Sequence, residues 1–276
     1  MPSHRKPDGI VRRAVAQGGL NPLEQFSRVS STIGLYGLTS QGRTMKFESK
    51  LLKGKFLKRY KRFFADVELD TGETITALTP NTGSLLTCKE PGSLAYVSTT
   101  DNPNRKLKFT WEIVQSGKGL VGVNTQLANH LAQEAIENGV ISELKGYETL
   151  RREVKYGTNS RIDFLLEDPK KPPCYVEVKN VSMGSDGVAS FPDAVSTRAT
   201  KHMGELTREV EKGNRAAVLF VVQRMDCESF TAADEIDPTY GKALREAAAA
   251  GVEILAYQAD ISPKEIRLTQ PLPVKL

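Results

Sequence analysis

The chain has 276 residues, of which 39% are hydrophobic and 26% charged, and this length and composition suit a folded protein with two cores. The longest uninterrupted apolar run, 216–222, is too short to cross a bilayer, so no membrane partner is expected. Three widely spaced cysteines without a C-x-x-C pair argue against a disulfide framework and a structural zinc site, and they predict a cytoplasmic location.

The formal net charge of +5 is unevenly distributed along the chain. Residues 45–64 contain eight Lys or Arg and a single acid, Glu48, whereas the chain beyond residue 64 is net acidic. Clustered cations release counterions from phosphates, so this basic segment predicts a polyanionic partner, DNA in particular. The alternative is a solvated basic face without a ligand.

Residues 1–44 are rich in Gly, Ser, Pro and Arg and show no sustained apolar period. We expect them to be mostly disordered. An organelle transit peptide and an over-long start are alternatives, since Met45 opens the next segment like a natural start.

Residues 45–123 contain short alternating apolar runs separated by turn signals, as in the Asp70-Thr71-Gly72 turn. Five such strands predict an OB-type five-stranded β-barrel, a fold that commonly binds oligonucleotides or oligosaccharides. Its first strand interleaves basic and aromatic residues, which suits phosphates and stacked bases, although aromatics usually pack inward. The nucleic-acid contacts predicted there are Lys55, Lys58, Arg59, Tyr60, Lys61 and Arg62.

Residues 124–276 change to a helical period and then alternate between helices and strands. The predicted order is α-β-β-β-α-β-α-β, which gives a mixed sheet with helices on its faces. The fourth strand, 216–222, is apolar throughout and is expected to be fully buried. The polar stretch 182–190 is predicted to be a mobile loop.

Two neighbouring strands, 162–166 and 175–178, carry acids where buried strands usually have none. The connector is too short for a crossover helix, so the strands are predicted to pair antiparallel. Glu177 and Lys179 share one face by alternation, and Asp163 can join them. Two adjacent carboxylates repel unless a cation lies between them, which predicts an Mg²⁺ or Mn²⁺ site for phosphodiester chemistry. The alternative is a solvent-facing hairpin with a Glu177–Lys179 pair.

Further polar side chains are candidates around this motif. Glu134 lies close to the apolar face of the first predicted helix. It is a candidate third acid of the site, and the alternative is a solvated residue at the flank of that helix. Basic side chains at a helix N-terminus oppose its dipole, so those near Thr197 predict an anionic partner or a solvated patch. The additional predicted nucleic-acid contacts are Arg161, Arg198, Lys201 and His202.

Five strings, in this order, resemble the sugar fermentation stimulation protein A family: PNTG (80–83), SRIDF (160–164), YVEVKNV (175–181), FPDA (191–194) and R-x-x-K-H (198–202). The resemblance extends from about residue 50 to the C-terminus. It implies an OB-type barrel followed by an α/β PD-(D/E)XK nuclease-like domain with a mixed central sheet. It also implies DNA binding without sequence preference and a link to sugar (maltose) metabolism.

The resemblance also assigns roles to the motif residues. It implies that Asp163 and Glu177 hold the metal, with the Val178 carbonyl as an extra ligand, and that the first-helix acid of the superfamily falls on Glu134. Lys179 would position the attacking water or stabilise developing charge. Ile162 stands where the proline of the "PD" pair is found in many members.

The expected organisation is therefore an extension (1–44), a barrel (45–123) and a nuclease-like domain (124–276). The leading hypothesis is a DNA-binding protein with Mg²⁺-dependent DNA phosphodiester hydrolysis in the C-terminal domain. The alternative is a catalytically silent DNA-binding regulator of sugar metabolism. An oligosaccharide-binding barrel is a third hypothesis, and the basic segment favours nucleic acid over neutral sugar because neutral sugars release no counterions.

Overall fold

The structure is a computed structural model that describes residues 36–37, 45–157 and 159–276. These residues belong to one compact unit. The expectations for residues 1–44 lie outside the described residues except at Tyr36–Gly37 (β1), which pairs antiparallel with Lys46–Phe47 (β2).

The first large sheet closes on itself. Its strands are Leu52–Tyr60 (β3), Phe64–Leu69 (β4), Thr74–Leu78 (β5), Leu94–Thr99 (β6), Phe109–Ser116 (β7) and Gly119–Gly122 (β8). The order is β5-β4-β3-β6-β7-β8, and an additional pairing of β5 with β7 closes a five-stranded barrel that β8 extends. This confirms the predicted OB-type barrel.

The barrel interior is built from alternate residues of these strands. Phe56 and Trp111 are fully buried there, and their rings stack with centroids 4.7 Å apart. Phe56, from the basic segment, is therefore a core residue, as its alternative interpretation held. Tyr60 differs because it is 37% exposed.

The rest of the chain alternates between helices and strands. Its helices are Ala128–Glu137 (α1), Thr197–Glu211 (α2) and Pro238–Ala249 (α3), with 3-10 turns at Thr125–Leu127 and Ser142–Leu144. Its strands are Thr149–Tyr156 (β9), Ser160–Asp168 (β10), Lys171–Val181 (β11), Met183–Ser185 (β12), Val188–Phe191 (β13), Arg215–Val222 (β14), Ser229–Ala232 (β15), Glu253–Ile261 (β16), Ile266–Pro271 (β17) and Val274–Lys275 (β18).

The central sheet of this half is mixed, in the order β17-β16-β14-β11-β10-β9. Strands β11, β14 and β16 run parallel, joined by crossovers through α2 and α3, while β9, β10 and β17 pair antiparallel. The apolar strand β14 lies inside the sheet and is almost entirely buried, as predicted. One apolar cluster joins the sheet to α1 around Leu131 and Phe164, and a second joins the opposite face to α2 and α3 around Met203 and Leu244.

The prediction of a mobile loop at 182–190 is wrong. Strands β12 and β13 form a hairpin in that segment, and together with β15 and β18 they make a second, four-stranded sheet. The turn is Asp186-Gly187, where both residues have positive φ (51° and 79°). An Asp-Gly pair is a common hairpin turn because glycine adopts positive φ without strain, so the signal was present in the sequence.

The barrel is joined to the mixed sheet at two of the sequence strings. Gly83 of PNTG lies so close to Asp193 of FPDA that an added Cβ would be 2.4 Å from a carboxylate oxygen. The same carboxylate accepts a hydrogen bond from the backbone N–H of Leu85 (3.0 Å). These two strings therefore form a structural junction in which a side chain at residue 83 would displace the Asp193 carboxylate.

We expect Gly83→Ala to lower the free energy of unfolding by about 1–3 kcal/mol, because the methyl group overlaps the Asp193 carboxylate. The cost should be smaller in an Asp193→Ala background, where the overlap is removed. Urea unfolding of the two single variants and the double variant measures this coupling. Equal costs of Gly83→Ala in both backgrounds would contradict the assigned contact.

Candidate active site

The site begins where β10 and β11 stop pairing. The register ends at Phe164 opposite Val176, so the backbone N–H of Val178 has no ladder partner on β10. The side chain of Asp163 supplies one instead, since its Oδ2 accepts from Val178 N at 2.7 Å. A carboxylate thus occupies the opening between the two strands and satisfies a buried backbone donor.

The side chain of Asp163 enters this opening because β10 is irregular at that residue. Two-residue alternation would place Ile162 and Phe164 on the same face of the sheet. Ile162 instead packs in the cluster with α2, and Phe164 packs in the cluster with α1. Glu153, which lies opposite Asp163 in the β9–β10 register, has a φ of 53°. The strands therefore change face at Asp163.

Helix α1 supplies the second partner of Asp163. Nδ2 of Asn129 donates to Oδ1 of Asp163 at 2.8 Å. Burial, followed by the negative charge of Glu177, raises the pKa of Asp163 to about 6, even though the Val178 N–H and Asn129 stabilise the ionised form. The charge of Glu177 therefore acts on Asp163.

Glu177 is 3% exposed and lies on the α2 side of β11. Its Oε1 accepts from the ammonium of Lys179 at 2.6 Å and from Nδ1 of His202 on α2. Burial alone would raise the pKa of Glu177, but the hydrogen bonds and charges of His202 and Lys179 outweigh it and lower that pKa. Glu177 is thus the member of the pair that stays ionised.

Oε2 of Glu177 has no hydrogen-bond partner within the described part of the chain. A buried carboxylate oxygen without a partner is costly, so a cation at this position is physically suitable. Among the described residues, no group of three or more His, Cys, Asp or Glu is arranged to hold a metal ion. The donors fit a hydrated ion such as Mg²⁺, which keeps several waters and is often bound by one or two carboxylates.

His202 is placed differently from its predicted role. It is 3% exposed and hydrogen-bonded to Glu177, so the prediction that it contacts nucleic acid at the surface is wrong. Arg198 and Lys201, from the same turns of α2, are exposed as expected. Lys201 contacts Ser160 Oγ (3.1 Å) and the Glu205 carboxylate (3.4 Å). Arg161 is exposed and donates to the Glu153 carbonyl.

Glu134 does not join Asp163 and Glu177. Its carboxylate accepts from the backbone N–H of Met45, and the charges that act on it are those of Glu265 and Arg267. The prediction of Glu134 as a metal ligand is therefore corrected. The residue of α1 that contacts Asp163 is Asn129. Because its side chain is an amide, a pattern of acidic residues in the sequence does not point to it.

The basic segment of the barrel divides into two groups. Arg59 directs its guanidinium at three backbone carbonyls, those of Arg62, Asn81 and Gly83, and it therefore stabilises the junction. The other predicted contacts, Lys55, Lys58, Tyr60, Lys61 and Arg62, are exposed. The positive φ values of Lys61 and Arg62 place them in the tight β3–β4 turn.

A buried polar cluster on the α2 side was not found by sequence reasoning. The Tyr156 hydroxyl and Oε2 of Glu205 have no hydrogen-bond partner among the described residues, and Oε1 of Glu205 has the ion pair with Lys201. Burial, with the charges of Glu177, Glu205 and Asp163, raises the pKa of Tyr156. The negative charges of both acids of the site, Asp163 and Glu177, therefore act on the Tyr156 hydroxyl.

An OB-type barrel followed by a mixed α/β sheet with helices on both faces, with paired acids where two strands of that sheet separate, defines the class of this protein. The chain belongs to the sugar fermentation stimulation protein family. The family's RE-domain model matches residues 126–265, and the model of its N-terminal OB domain matches residues 57–123.

Curated relatives and a solved structure agree with this assignment. The chain is 53% identical over 233 residues to the sugar fermentation stimulation protein homologue of Maricaulis maris, covering 84% of this chain and 99% of the relative. It is 52% identical over 224 residues to the homologue of Geobacter sulfurreducens, covering 81% and 96%. The structure of Pyrococcus furiosus SfsA in complex with Ca²⁺ is 28% identical, with a TM-score of 0.76 and coverage of 84% and 99%.

Two general features complete the description. None of the helices among residues 45–157 and 159–276 is long and apolar enough to cross a membrane. Cys88, Cys174 and Cys227 are buried and free.

We expect Glu134 to make the fold less stable as pH rises. Burial raises the pKa of Glu134 from 4.5 to about 7, so between these values the folded chain retains a proton that the unfolded chain has lost. Stability contributed through this group is thus present at low pH and is lost as pH rises through about 7. Between about pH 4 and about pH 8, an interval that brackets both values, wild type should lose more unfolding free energy than Glu134→Gln.

Chemical unfolding at several pH values measures this difference, with Glu148→Gln, which removes an exposed acid, as the control. Parallel pH curves for wild type and Glu134→Gln would contradict the prediction.

Proposed function

We propose that this protein binds DNA without sequence preference and hydrolyses DNA phosphodiesters with a divalent metal ion, Mg²⁺ or Mn²⁺. The observation that carries the proposal is the partnerless Oε2 of buried Glu177, beside Asp163, whose pKa the charge of Glu177 helps to raise. Both features are relieved by a cation between the two acids. The buried free cysteines suit a cytoplasmic location.

The residues of the site have different roles in this proposal. Asp163 and Oε2 of Glu177 would hold the ion, and the Val178 carbonyl is a further candidate ligand. When bound, the ion supplies Lewis acidity for the phosphate oxygens and lowers the pKa of a water. Asn129 and the Val178 N–H orient Asp163, while His202 holds Glu177 ionised and in place. Lys179 places a positive charge at the site, where it stabilises charge developing on a phosphate.

A relative supports the metal part of this proposal. The Pyrococcus furiosus protein, 28% identical to this chain, is described in complex with Ca²⁺. Calcium and magnesium are both hard cations that prefer oxygen ligands, so a carboxylate pair of this kind suits either.

A second candidate function is a catalytically silent DNA-binding regulator of sugar metabolism. The observation in its favour is that both oxygens of Asp163 and Oε1 of Glu177 already have donors within the chain. Such a network can hold two strands together without a metal. The two functions predict different outcomes in the same assay.

We expect purified protein to nick supercoiled DNA with Mg²⁺ and not with EDTA. Asp163→Asn should lower the nicking rate about 100-fold or more, because it removes a charged ligand. The asparagine can still accept from Val178 N, so the fold is retained. Glu134→Gln is the matched control: it removes an acid that lies away from the site and should leave the rate unchanged. Equal rates for wild type and Asp163→Asn would favour the silent regulator.

The DNA-binding part is tested by salt dependence. Lys61→Gln and Arg62→Gln should each reduce the slope of log K against log salt by about 0.7–0.9 where the side chain contacts a phosphate. Lys106→Gln, which removes an exposed charge elsewhere on the barrel, is the control. Binding measured by fluorescence anisotropy over a salt series gives the slopes. An affinity that does not change with salt would contradict an electrostatic contact.

A further inference from the structure

A cleft of about 760 Å³ lies between the barrel and the mixed-sheet half of the chain. Its walls are the β3–β4 turn, the PNTG loop and the segment from Phe191 to Ser196. The junction of Gly83 with Asp193 holds two of these walls together. The cleft is therefore a fixed feature of the fold, with sides drawn from both halves.

The lining of the cleft combines cations with exposed apolar groups. Lys61, Arg62 and Lys89 line it and are exposed. Three exposed large apolar side chains also line the cleft: Tyr60 (37% exposed), Leu86 (49%) and Val195 (72%). Bound phosphates would explain the cationic side chains of the cleft. They would not explain its exposed apolar side chains, with which a phosphate makes no favourable contact.

Tyr60 is held in a defined orientation at the rim. Its ring stacks on Phe64 with centroids 5.5 Å apart, and its hydroxyl donates to Asp66 at 3.2 Å. The ammonium of Lys58, an exposed side chain, lies 5.7 Å from the ring centroid and 3.5 Å from the Asp66 carboxylate. A base that stacks on the exposed part of the ring thus has a cation nearby for its phosphate.

Unpaired bases match this combination better than duplex DNA does. In a duplex the faces of the bases are covered by their neighbours, so a protein surface meets mainly phosphates and groove edges. In a single strand each base has a free face for an aromatic or aliphatic side chain, and the backbone follows the basic residues.

The cleft also reaches the elements that carry the paired acids. Asn180, which follows Lys179 on β11, lines it. Thr125 lines it from the turn that leads into α1 and Asn129, and Ser196 lines it as the N-cap of α2, the helix of His202. A strand in the cleft would therefore run beside the three elements that position Asp163 and Glu177.

We propose that this cleft binds a single-stranded stretch of DNA, with Tyr60 stacking on a base, and leads it to the paired acids. The inference rests on the proposed DNA-binding function and narrows its substrate to DNA with an unpaired segment, such as an end or a flap. The cations and the Tyr60 ring make the contact, and Leu86 and Val195 extend its apolar surface.

The test compares one labelled oligonucleotide, alone and as a duplex, by fluorescence anisotropy in EDTA, so that cleavage plays no part. Tyr60→Ala should weaken single-strand binding about tenfold and duplex binding by less than about twofold. Tyr60→Phe keeps the ring and should keep the affinity. Leu52→Ala removes an exposed apolar side chain from the same strand outside the cleft and is the matched control.

A second variant pair does not depend on the Tyr60–Phe64 packing. Val195 is 72% exposed, so its replacement does not disturb the core. Val195→Asp adds a negative charge to the cleft and should weaken single-strand binding several-fold more than Val195→Asn does.

The outcomes separate this inference from the function on which it rests. If wild type binds both DNA forms and the variants weaken them equally or not at all, single-strand binding in the cleft is overturned while DNA binding stands. If wild type binds neither form, both proposals fail. Selective loss of single-strand binding in Tyr60→Ala and Val195→Asp supports the inference, whatever the nicking assay shows.

Discussion

The candidate site depends on one hydrogen bond, from the backbone N–H of Val178 to the carboxylate of Asp163. An unpaired buried N–H destabilises a fold by an amount comparable to a lost hydrogen bond. The separation of β10 from β11 is tolerated because an acid fills the opening. The same acid is then held at the point where the strands diverge, with a second acid one residue before Val178. Fold stability and site geometry are thus determined by one side chain.

The two acids are held by different surroundings, and this sets their charges. Glu177 has a cation and a histidine on Oε1, whereas Asp163 has only an amide and a backbone N–H. Neutral donors compensate burial less than a positive charge does, so the pKa of Asp163 is raised and that of Glu177 is lowered. Asp163 therefore lacks a cationic hydrogen-bond donor, and Oε2 of Glu177 is the oxygen of the pair that has no hydrogen-bond partner within the described part of the chain.

Much of this arrangement follows from local sequence rules. Alternation along β11 is sufficient to bring Glu177 and Lys179 together, and the apolar content of β14 is sufficient to place it inside the sheet. The errors arise where a partner is distant in sequence. The basic character of His202 predicts a surface position, because the local sequence does not show that this face of α2 meets β11. Glu134 lies five residues beyond Asn129, about 140° around the helix, so only one of the two can point at Asp163. Two of the three carbonyls that accept from Arg59, those of Asn81 and Gly83, belong to a loop more than twenty residues away.

The PNTG and FPDA strings form the junction between the two halves of the chain. Asn81 accepts from Gly83 N and donates to the Val123 carbonyl, which fixes the loop that Asp193 meets. The Pro80 carbonyl accepts from both the backbone and the hydroxyl of Thr125, at the turn that leads into α1. The barrel is thereby tied to the helix that orients Asp163. Arg59, next to the β3–β4 turn, donates to the carbonyls of Asn81 and Gly83 in the same loop, so directional hydrogen bonds connect that turn with the start of α1, the helix of Asn129.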